Sequence, residues 1–280
     1  MLERTLLGTR RVLLREQDGW MPIDESSVCP RCGRTVGQGE VSPDDGRCSG
    51  CRPESSRWDR LIQLGPYQGD LRQAIVETKY GPWRAQGIAI GKRLGARIAA
   101  AIADAGIEPG SAVLVPAPMP AGRRFRRGID HAHVIARAAG RVADIEVAQL
   151  LRKSPGPTQA SVPKSARSAS IRNRIEAVRR VDAGTRLIVL VDDVLTTGAT
   201  LDACCKALAG EVGTRRRPPG PGSKLRGVFG SNGGRRVMRP IPVWDERPRI
   251  WAAAAAVAFE QGRRAAGPQA GQAVGETGSA

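Results

Sequence analysis

The chain has 280 residues, of which 44 are Lys or Arg and 27 are Asp or Glu, so its formal net charge is +17. This length suits one ordinary α/β domain with a small additional module, and the charge favours acidic or phosphorylated partners. A hydrophobic fraction of 41% excludes a wholly disordered chain. No apolar run reaches the roughly 18 residues of a membrane-spanning helix, and no apolar signal segment opens the chain, so we expect a cytoplasmic protein without membrane insertion.

Four cysteines form two C-x-x-C pairs, Cys29 with Cys32 and Cys48 with Cys51, and residues 1–25 before them are polar and featureless. Each pair can point two thiolates at one metal ion, and the double spacing is typical of closed structural zinc sites. Disulfides are the alternative, but they are rare in a reducing cytoplasm. We therefore predict a four-cysteine zinc module over 26–57.

The next region, 58–210, alternates apolar runs with helical patterns. A link at 58–71 leads to an amphipathic helix at 86–105, whose apolar residues recur every four positions. A run that is apolar on both faces at 112–115 predicts a buried strand, and a helical pattern follows at 129–142. This alternation predicts a doubly wound parallel sheet.

Three further segments complete this region. Residues 152–174 are rich in Ser, Pro, Arg and Lys and predict a long loop that enters a short helix. Residues 186–191 give the strongest strand pattern in the chain. The pair Cys204-Cys205 stands in an Ala-rich helical stretch, where we expect two buried small hydrophobic side chains.

The segment that follows the strand predicted at 186–191 carries the most specific chemistry. Asp192 and Asp193 stand at its carboxyl end, where they can accept hydrogen bonds from sugar hydroxyls or lie beside Mg2+. A turn through Thr196, Thr197, Gly198, Ala199 and Thr200 then enters a helix, whose N-terminal N–H groups can hold a phosphate. Open α/β sheets bind ligands in this crevice.

Beyond Gly210 the composition changes. Residues 211–280 contain the run Arg215-Arg216-Arg217, a Pro-Gly segment and a Gly, Ala and Gln end, without a sustained strand pattern. We predict a basic, low-complexity and disordered tail. Its one exception is 251–259, which is predicted as a short Ala-rich helix.

Residues 188–200 resemble the phosphoribosyl pyrophosphate signature of type I phosphoribosyltransferases. Together with the two C-x-x-C pairs and several short motifs in order, they resemble the ComF (competence protein F) family over roughly 26–210. These motifs are Tyr67-Gln68-Gly69, Lys79-Tyr80, Val115-Pro116-Ala117-Pro118, Arg127-Gly128-Ile129-Asp130-His131-Ala132, and Thr158-Gln159 with Arg167 and Asn173. The resemblance implies a bacterial cytosolic protein with a zinc finger and a phosphoribosyltransferase-like domain, linked in some species to DNA uptake.

The resemblance also implies roles for single residues. Asp192 and Asp193 would hold the ribose, residues 196–200 the 5′-phosphate, and Lys79 and Arg127 the pyrophosphate that leaves with Mg2+. The alternative for Lys79 is that it is an ordinary surface lysine. The alternatives for the basic loop predicted at 123–127 are a solvated loop and a nucleic-acid contact. A metal pair made by His131 and His133 is the weakest candidate, because no Cys or carboxylate cluster stands near them.

Two departures from the family pattern bear on function. At Ile129-Asp130-His131 the family usually has Phe-Asn-Gln, so base recognition there is open. The family chain also returns to a short apolar strand after the signature helix, and none stands near 211–225. Either that strand is replaced, or the end of the chain is divergent or frame-shifted.

Two hypotheses follow. The first is a phosphoribosyltransferase-type protein that binds phosphoribosyl pyrophosphate or a nucleotide with Mg2+. The second is a DNA-uptake accessory protein that binds single-stranded DNA or a competence helicase, with a non-catalytic pocket. The acceptor base and the oligomeric state stay open.

Overall fold

The structure of the chain is a computed structural model, and it describes residues 13–14, 20–51, 57–80, 84–120, 122, 128–154, 175–179, 181–182, 184–209 and 248–258. The strands of this part are β1 Arg60–Pro66, β2 Ala112–Pro116, β3 Glu146–Val147, β4 Leu151–Lys153, β5 Ile175–Ala177, β6 Leu187–Leu195 and β7 Arg249–Val257. Its helices are α1 Gly69–Tyr80, α2 Arg84–Asp104, α3 His131–Ala143 and α4 Ala199–Leu208, with short 3-10 turns at Glu25–Ser27 and Pro109–Ser111.

Five strands form a parallel sheet in the order β1-β7-β6-β2-β3, and β4 and β5 form a separate antiparallel pair. The α/β class and the parallel sheet are therefore confirmed. The predicted helices at 86–105 and 129–142 correspond to α2 and α3, and the predicted strands at 112–115 and 186–191 correspond to β2 and β6.

Both faces of the sheet are covered, and β6 shows how the strand serves two cores. Leu187, Val189 and Val191 belong to the apolar cluster that α1, α2 and α3 build on one face. Ile188 and Leu190 belong to the cluster that contains α4, β4 and β5 on the other face. Because successive side chains point to opposite faces, a strand covered on both sides is apolar without interruption.

The structure corrects two predictions about where strands lie. The segment 58–71, predicted as a link, contains strand β1 and the start of α1. The segment 251–259, predicted as a helix in a disordered tail, lies largely in β7, which pairs in parallel with β1 on one side and with β6 on the other. The strand that follows α4 in the described part of the chain is β7 itself, at Arg249–Val257.

The alanines of β7 explain why the sequence misled. Alanine has the highest helix propensity, so Ala252–Ala256 is predicted as helix when propensity alone is considered. All five alanines are fully buried in the sheet, and they are divided between the two cores. Tertiary packing against helices on both faces favours small side chains in a central strand and overrides the local preference.

Other predictions fall partly outside this description. Residues 155–174 of the predicted loop lie outside the described residues, and 152–153 belong to β4. In the segment 1–25, Leu14 is buried in the main core, so the segment is not featureless. Within the described part of the chain, no helix combines the length and the apolar character needed to cross a membrane.

Candidate functional site

The first candidate site is the cysteine cluster before β1. The sulfur atoms of Cys29, Cys32, Cys48 and Cys51 all lie within 4.8 Å of one another. One antiparallel bridge, Val28 with Thr35, flanks the first C-x-x-C turn, and another, Val41 with Cys48, reaches the first cysteine of the second turn. The predicted ligand set is thus assembled at one point.

The spacing of these sulfur atoms fits a tetrahedral metal ion. The Sγ–Sγ distances are 3.6 Å for Cys29 and Cys51, 3.7 Å for Cys32 and Cys48, and 3.9 Å for Cys48 and Cys51. Four zinc–sulfur bonds of about 2.3 Å at tetrahedral angles put sulfur atoms about 3.8 Å apart. The four thiols can therefore bind a structural metal such as zinc, and they leave no open position for a substrate.

The first cysteine turn is seated on the edge of the sheet. The backbone N–H of Leu61 in β1 donates to the carbonyl of Pro30 at 2.6 Å, and the buried Nε2 of Gln63 donates to the carbonyl of Gly33 at 2.9 Å. Gly33 has φ 75°, and a Cβ on it would lie 2.7 Å from Leu61. The cysteine module therefore covers the free edge of β1 at a distance that only glycine allows.

The second candidate site lies at the carboxyl ends of β2 and β6. These strands are neighbours, yet the chain continues from β2 towards β3 on one side and from β6 towards β7 on the other. The backbone N–H of Ala117, just after β2, donates to the carbonyl of Val191 at 2.8 Å. Such a reversal of strand order opens a crevice beyond the strand ends, where α/β sheets bind ligands.

Asp192 and Asp193 lie at this edge, and Lys79 reaches them from the last turn of α1. The Nζ atom of Lys79 is 3.1 Å from Oδ1 of Asp193, and the two side chains are 19% and 16% exposed. The structure therefore brings together three of the four residues that the sequence predicts around a ribose and its pyrophosphate. The fourth, Arg127, lies outside the described residues.

The carboxyl group of Asp192 has a raised pKa. Burial raises its pKa to about 7, the negative charge of Asp193 adds to this effect, and a hydrogen bond from the Asp193 N–H together with Lys79 and Lys153 opposes it. Lys153, at the end of β4, is a residue that sequence reasoning missed, because the pattern placed it in a loop. Near neutral pH Asp192 is thus able to change its charge at this site.

The turn from β6 to α4 has the shape that an anion site requires. Gly198 is the residue before α4 and has φ 76°, and its carbonyl accepts the N–H of Asp202 at 2.8 Å. Thr196 and Thr197 are exposed, and Gly198, Ala199 and Thr200 are half-buried. The N–H groups of the first turn of a helix have no partner within the helix and can bind a phosphate. Here the N–H of Ala199 makes a long bond of 3.4 Å to Oγ1 of Thr197, which a phosphate would have to replace.

The remaining candidates take structural places or lie outside the description. Cys204 and Cys205 are buried in α4, and burial raises the pKa of both thiols, as expected for small core residues. Asp130 is the N-cap of α3 and accepts the N–H of His133, while His131 is buried. Thr158, Gln159, Arg167 and Asn173 lie outside the described residues. The cysteine cluster is the one metal-binding group of three or more side chains found in the described part of the chain.

Comparison with known proteins supports the resemblance that these motifs carry. No family model matches the chain. It is 26% identical over 195 residues to Competence protein F of Haemophilus influenzae, covering 66% of this chain and 80% of that protein. It is 22% identical over 179 residues to the DNA utilization protein YhgH of Escherichia coli, covering 63% of this chain and 75% of that protein. The chain is thus similar to two curated proteins whose names concern competence and DNA utilization, at modest identity and over about two thirds of its length.

Proposed function

We propose that the crevice at the carboxyl ends of β2 and β6 binds a phosphorylated ribose, as phosphoribosyl pyrophosphate or as a nucleotide. One observation carries the proposal: two carboxylates, an ammonium group and a glycine turn at a helix N-terminus converge where the strand order reverses. Each group suits a different part of such a ligand. The helix N-terminus suits the phosphate, the two carboxylates suit the ribose hydroxyls, and the ammonium group suits the pyrophosphate.

In this proposal the residues divide the ligand among them. Asp192 and Asp193 accept hydrogen bonds from the ribose hydroxyls, and the N–H groups of 196–200 hold the 5′-phosphate. Lys79 leaves Asp193 and turns towards the pyrophosphate, together with Arg127. A Mg2+ ion bound together with the pyrophosphate would neutralise part of its charge.

If the protein turns over, the chemistry is a displacement at the ribose. The bond between C1 of the ribose and the pyrophosphate oxygen breaks, a bond from C1 to a nitrogen of the acceptor base forms, and that nitrogen releases its proton to solvent. The chain's contribution is to hold phosphate, ribose and leaving group in line and to keep water away from C1. The base stays unassigned.

Calorimetric titration tests the binding step. The full chain with its metal is titrated with phosphoribosyl pyrophosphate and Mg2+, beside the double variant Asp192→Asn, Asp193→Asn. We expect saturable binding that is weaker by roughly a hundredfold in the variant, since two charge-assisted hydrogen bonds become neutral ones. The matched control, Asp104→Asn with Glu108→Gln, changes two exposed acids far from the crevice. Equal binding by the folded double variant contradicts the proposal.

A second candidate function is supported by the names of the two similar proteins, which concern competence and DNA utilization. In it the protein takes part in DNA uptake and contacts single-stranded DNA or a helicase partner, with the net charge of +17 attracting phosphates. The test is the salt dependence of single-stranded DNA binding, with and without residues 259–280. A deletion from 211 is unsuitable, because it removes β7. Binding that disappears when Arg123 and Arg124 become Gln assigns the contact to the basic loop, and no binding at low salt rejects the candidate.

A further inference from the structure

The cysteine module and the phosphate turn are joined by one aromatic side chain, Trp58. Its Nε1–H donates to the carbonyl of Arg31 at 2.9 Å, and Arg31 stands between the metal ligands Cys29 and Cys32. The other end of the indole lies against Gly198, where an added Cβ would come within 2.9 Å of Cη2. The side chain is 3% exposed. A single buried ring thus contacts both candidate sites.

Other contacts fix the position of this ring. The N–H of Asp59 donates to the carbonyl of Ile250 at 2.7 Å, which holds the backbone beside Trp58 against the start of β7. Arg57, on the other side of Trp58, lies 3.2 Å from Asp202 in the first turn of α4. Trp58 also packs in the same cluster as Leu195 and Leu201, which stand before and after the turn. Backbone and side-chain contacts therefore fix the indole of Trp58 against the start of β7 and against residues on both sides of the phosphate turn.

From this arrangement we infer that Trp58 is a positioning residue, through which the metal state of the cysteine module controls the conformation of the phosphate turn at 196–200. The metal holds the Cys29–Cys32 turn, and with it the direction of the Arg31 carbonyl. That carbonyl orients the indole, and the indole packs against Gly198 and stabilises its left-handed backbone conformation. Loss of the metal releases this support, although no metal ligand lies in the crevice itself.

The inference rests on the proposed function only for the identity of the ligand that the turn at 196–200 binds. The support by Trp58 concerns the backbone and can be measured without any ligand. Because buried packing and one hydrogen bond decide how often the turn opens, its amide exchange reports the support directly.

The experiment is hydrogen–deuterium exchange of the full chain in its zinc-loaded and chelator-treated forms. We expect chelation to speed exchange roughly tenfold in 196–202, as well as in the module itself, while the amides of α2 stay unchanged. In Trp58→Phe the amides of 196–202 exchange fast already with zinc bound, and chelation adds little. The control is Trp20→Phe, because Trp20 packs with Arg93 and the core on the other face of the sheet; it responds as the wild type does.

The wild-type comparison decides the inference even if Trp58→Phe fails to fold. Unchanged exchange in 196–202 after metal loss overturns it, and so does an equal rise in α2, since that result makes the metal a support of the whole fold. A parallel titration with phosphoribosyl pyrophosphate separates the two proposals. If the zinc-loaded protein does not bind this ligand, the proposed function fails, and the exchange result stands by itself.

Discussion

Nζ of Lys79 lies 3.1 Å from Oδ1 of Asp193 and joins the last turn of α1 to the carboxyl end of β6. The same ammonium group lowers the pKa of the neighbouring Asp192, where burial and the charge of Asp193 raise it. Without this cation, the negative charge of Asp193 would act on the buried carboxyl group of Asp192 with less compensation. Lys79 therefore keeps the acidic pair compatible with the fold before any ligand is bound.

Replacing Lys79 tests this relationship. In Lys79→Met we expect the free energy of unfolding at pH 8 to fall by about 1–2 kcal/mol, because a mostly buried carboxylate loses its partner while some water still screens it. Urea titration measures the change, and Lys92→Met, at an exposed position of α2, is the control. In the double variant with Asp193→Asn, most of the loss should disappear. A loss that persists there would show that the ion pair is not its cause.

The raised pKa of Asp192 predicts a pH dependence of stability. The folded pKa of about 7 lies above the usual 3.8, so the folded state binds more protons between these values. The contribution of Asp192 is fully present below pH 3.8, and it is lost as the pH rises towards 7. Asp192→Asn removes this loss, and we expect its stability relative to the wild type to increase by about 2 kcal/mol from pH 5 to pH 8. A constant difference in urea titrations at the two pH values would contradict the assignment.

Gly198 is predicted to tolerate no side chain. In Gly198→Ala the residue keeps a φ near 76° only under strain, and its Cβ meets the ring of Trp58. We expect a loss of about 1–3 kcal/mol in the free energy of unfolding, together with weaker binding of phosphoribosyl pyrophosphate. Gly184→Ala is the matched control, because a Cβ there meets no atom within 4 Å. Equal stability of the two variants would show that the turn is free to relax.

We predict that the zinc content of the protein depends on the four clustered thiols and not on those of Cys204 and Cys205. Cys48→Ala removes a ligand, and we expect the purified variant to lose its zinc, since a three-thiolate site binds the ion far less tightly. Cys205→Ala, in the core of α4, should keep the metal of the wild type despite a lower stability. Atomic emission on both proteins measures the content. Full zinc occupancy in Cys48→Ala would remove that thiol from the ligand set.

The sequence predicts the parts of this molecule that short-range patterns encode. The C-x-x-C spacing predicts the cysteine cluster, and the order of strand, two acids and a glycine turn predicts what stands at the end of β6. Periodicity places α2 and α3 within two residues of their observed ends. In each case the signal lies within a few neighbouring residues, so one chain is enough to detect it.

The relationships that depend on distant residues could not be predicted in this way. Trp58 contacts Gly198 across 140 positions of sequence, and no local pattern marks it. Lys153 influences Asp192 only because β4 and β5 fold over that face of the sheet. The Ala-rich segment of β7 is a strand only because β1 and β6 lie on either side of it. Tertiary context decides all three.

The central position of β7 gives the sharpest test of the fold. A chain that ends at residue 258 keeps every described backbone pair of β7, including the bond from the N–H of Ala258 to the carbonyl of Leu195 at 2.8 Å. We expect this chain to unfold cooperatively, with near-native circular dichroism. A chain that ends at residue 247 lacks β7, so β1 and β6 lose their shared neighbour and both cores lose buried alanines. It should be insoluble or unfolded. Cooperative unfolding of the shorter chain would mean that 249–257 is dispensable, as the prediction of a disordered tail implied.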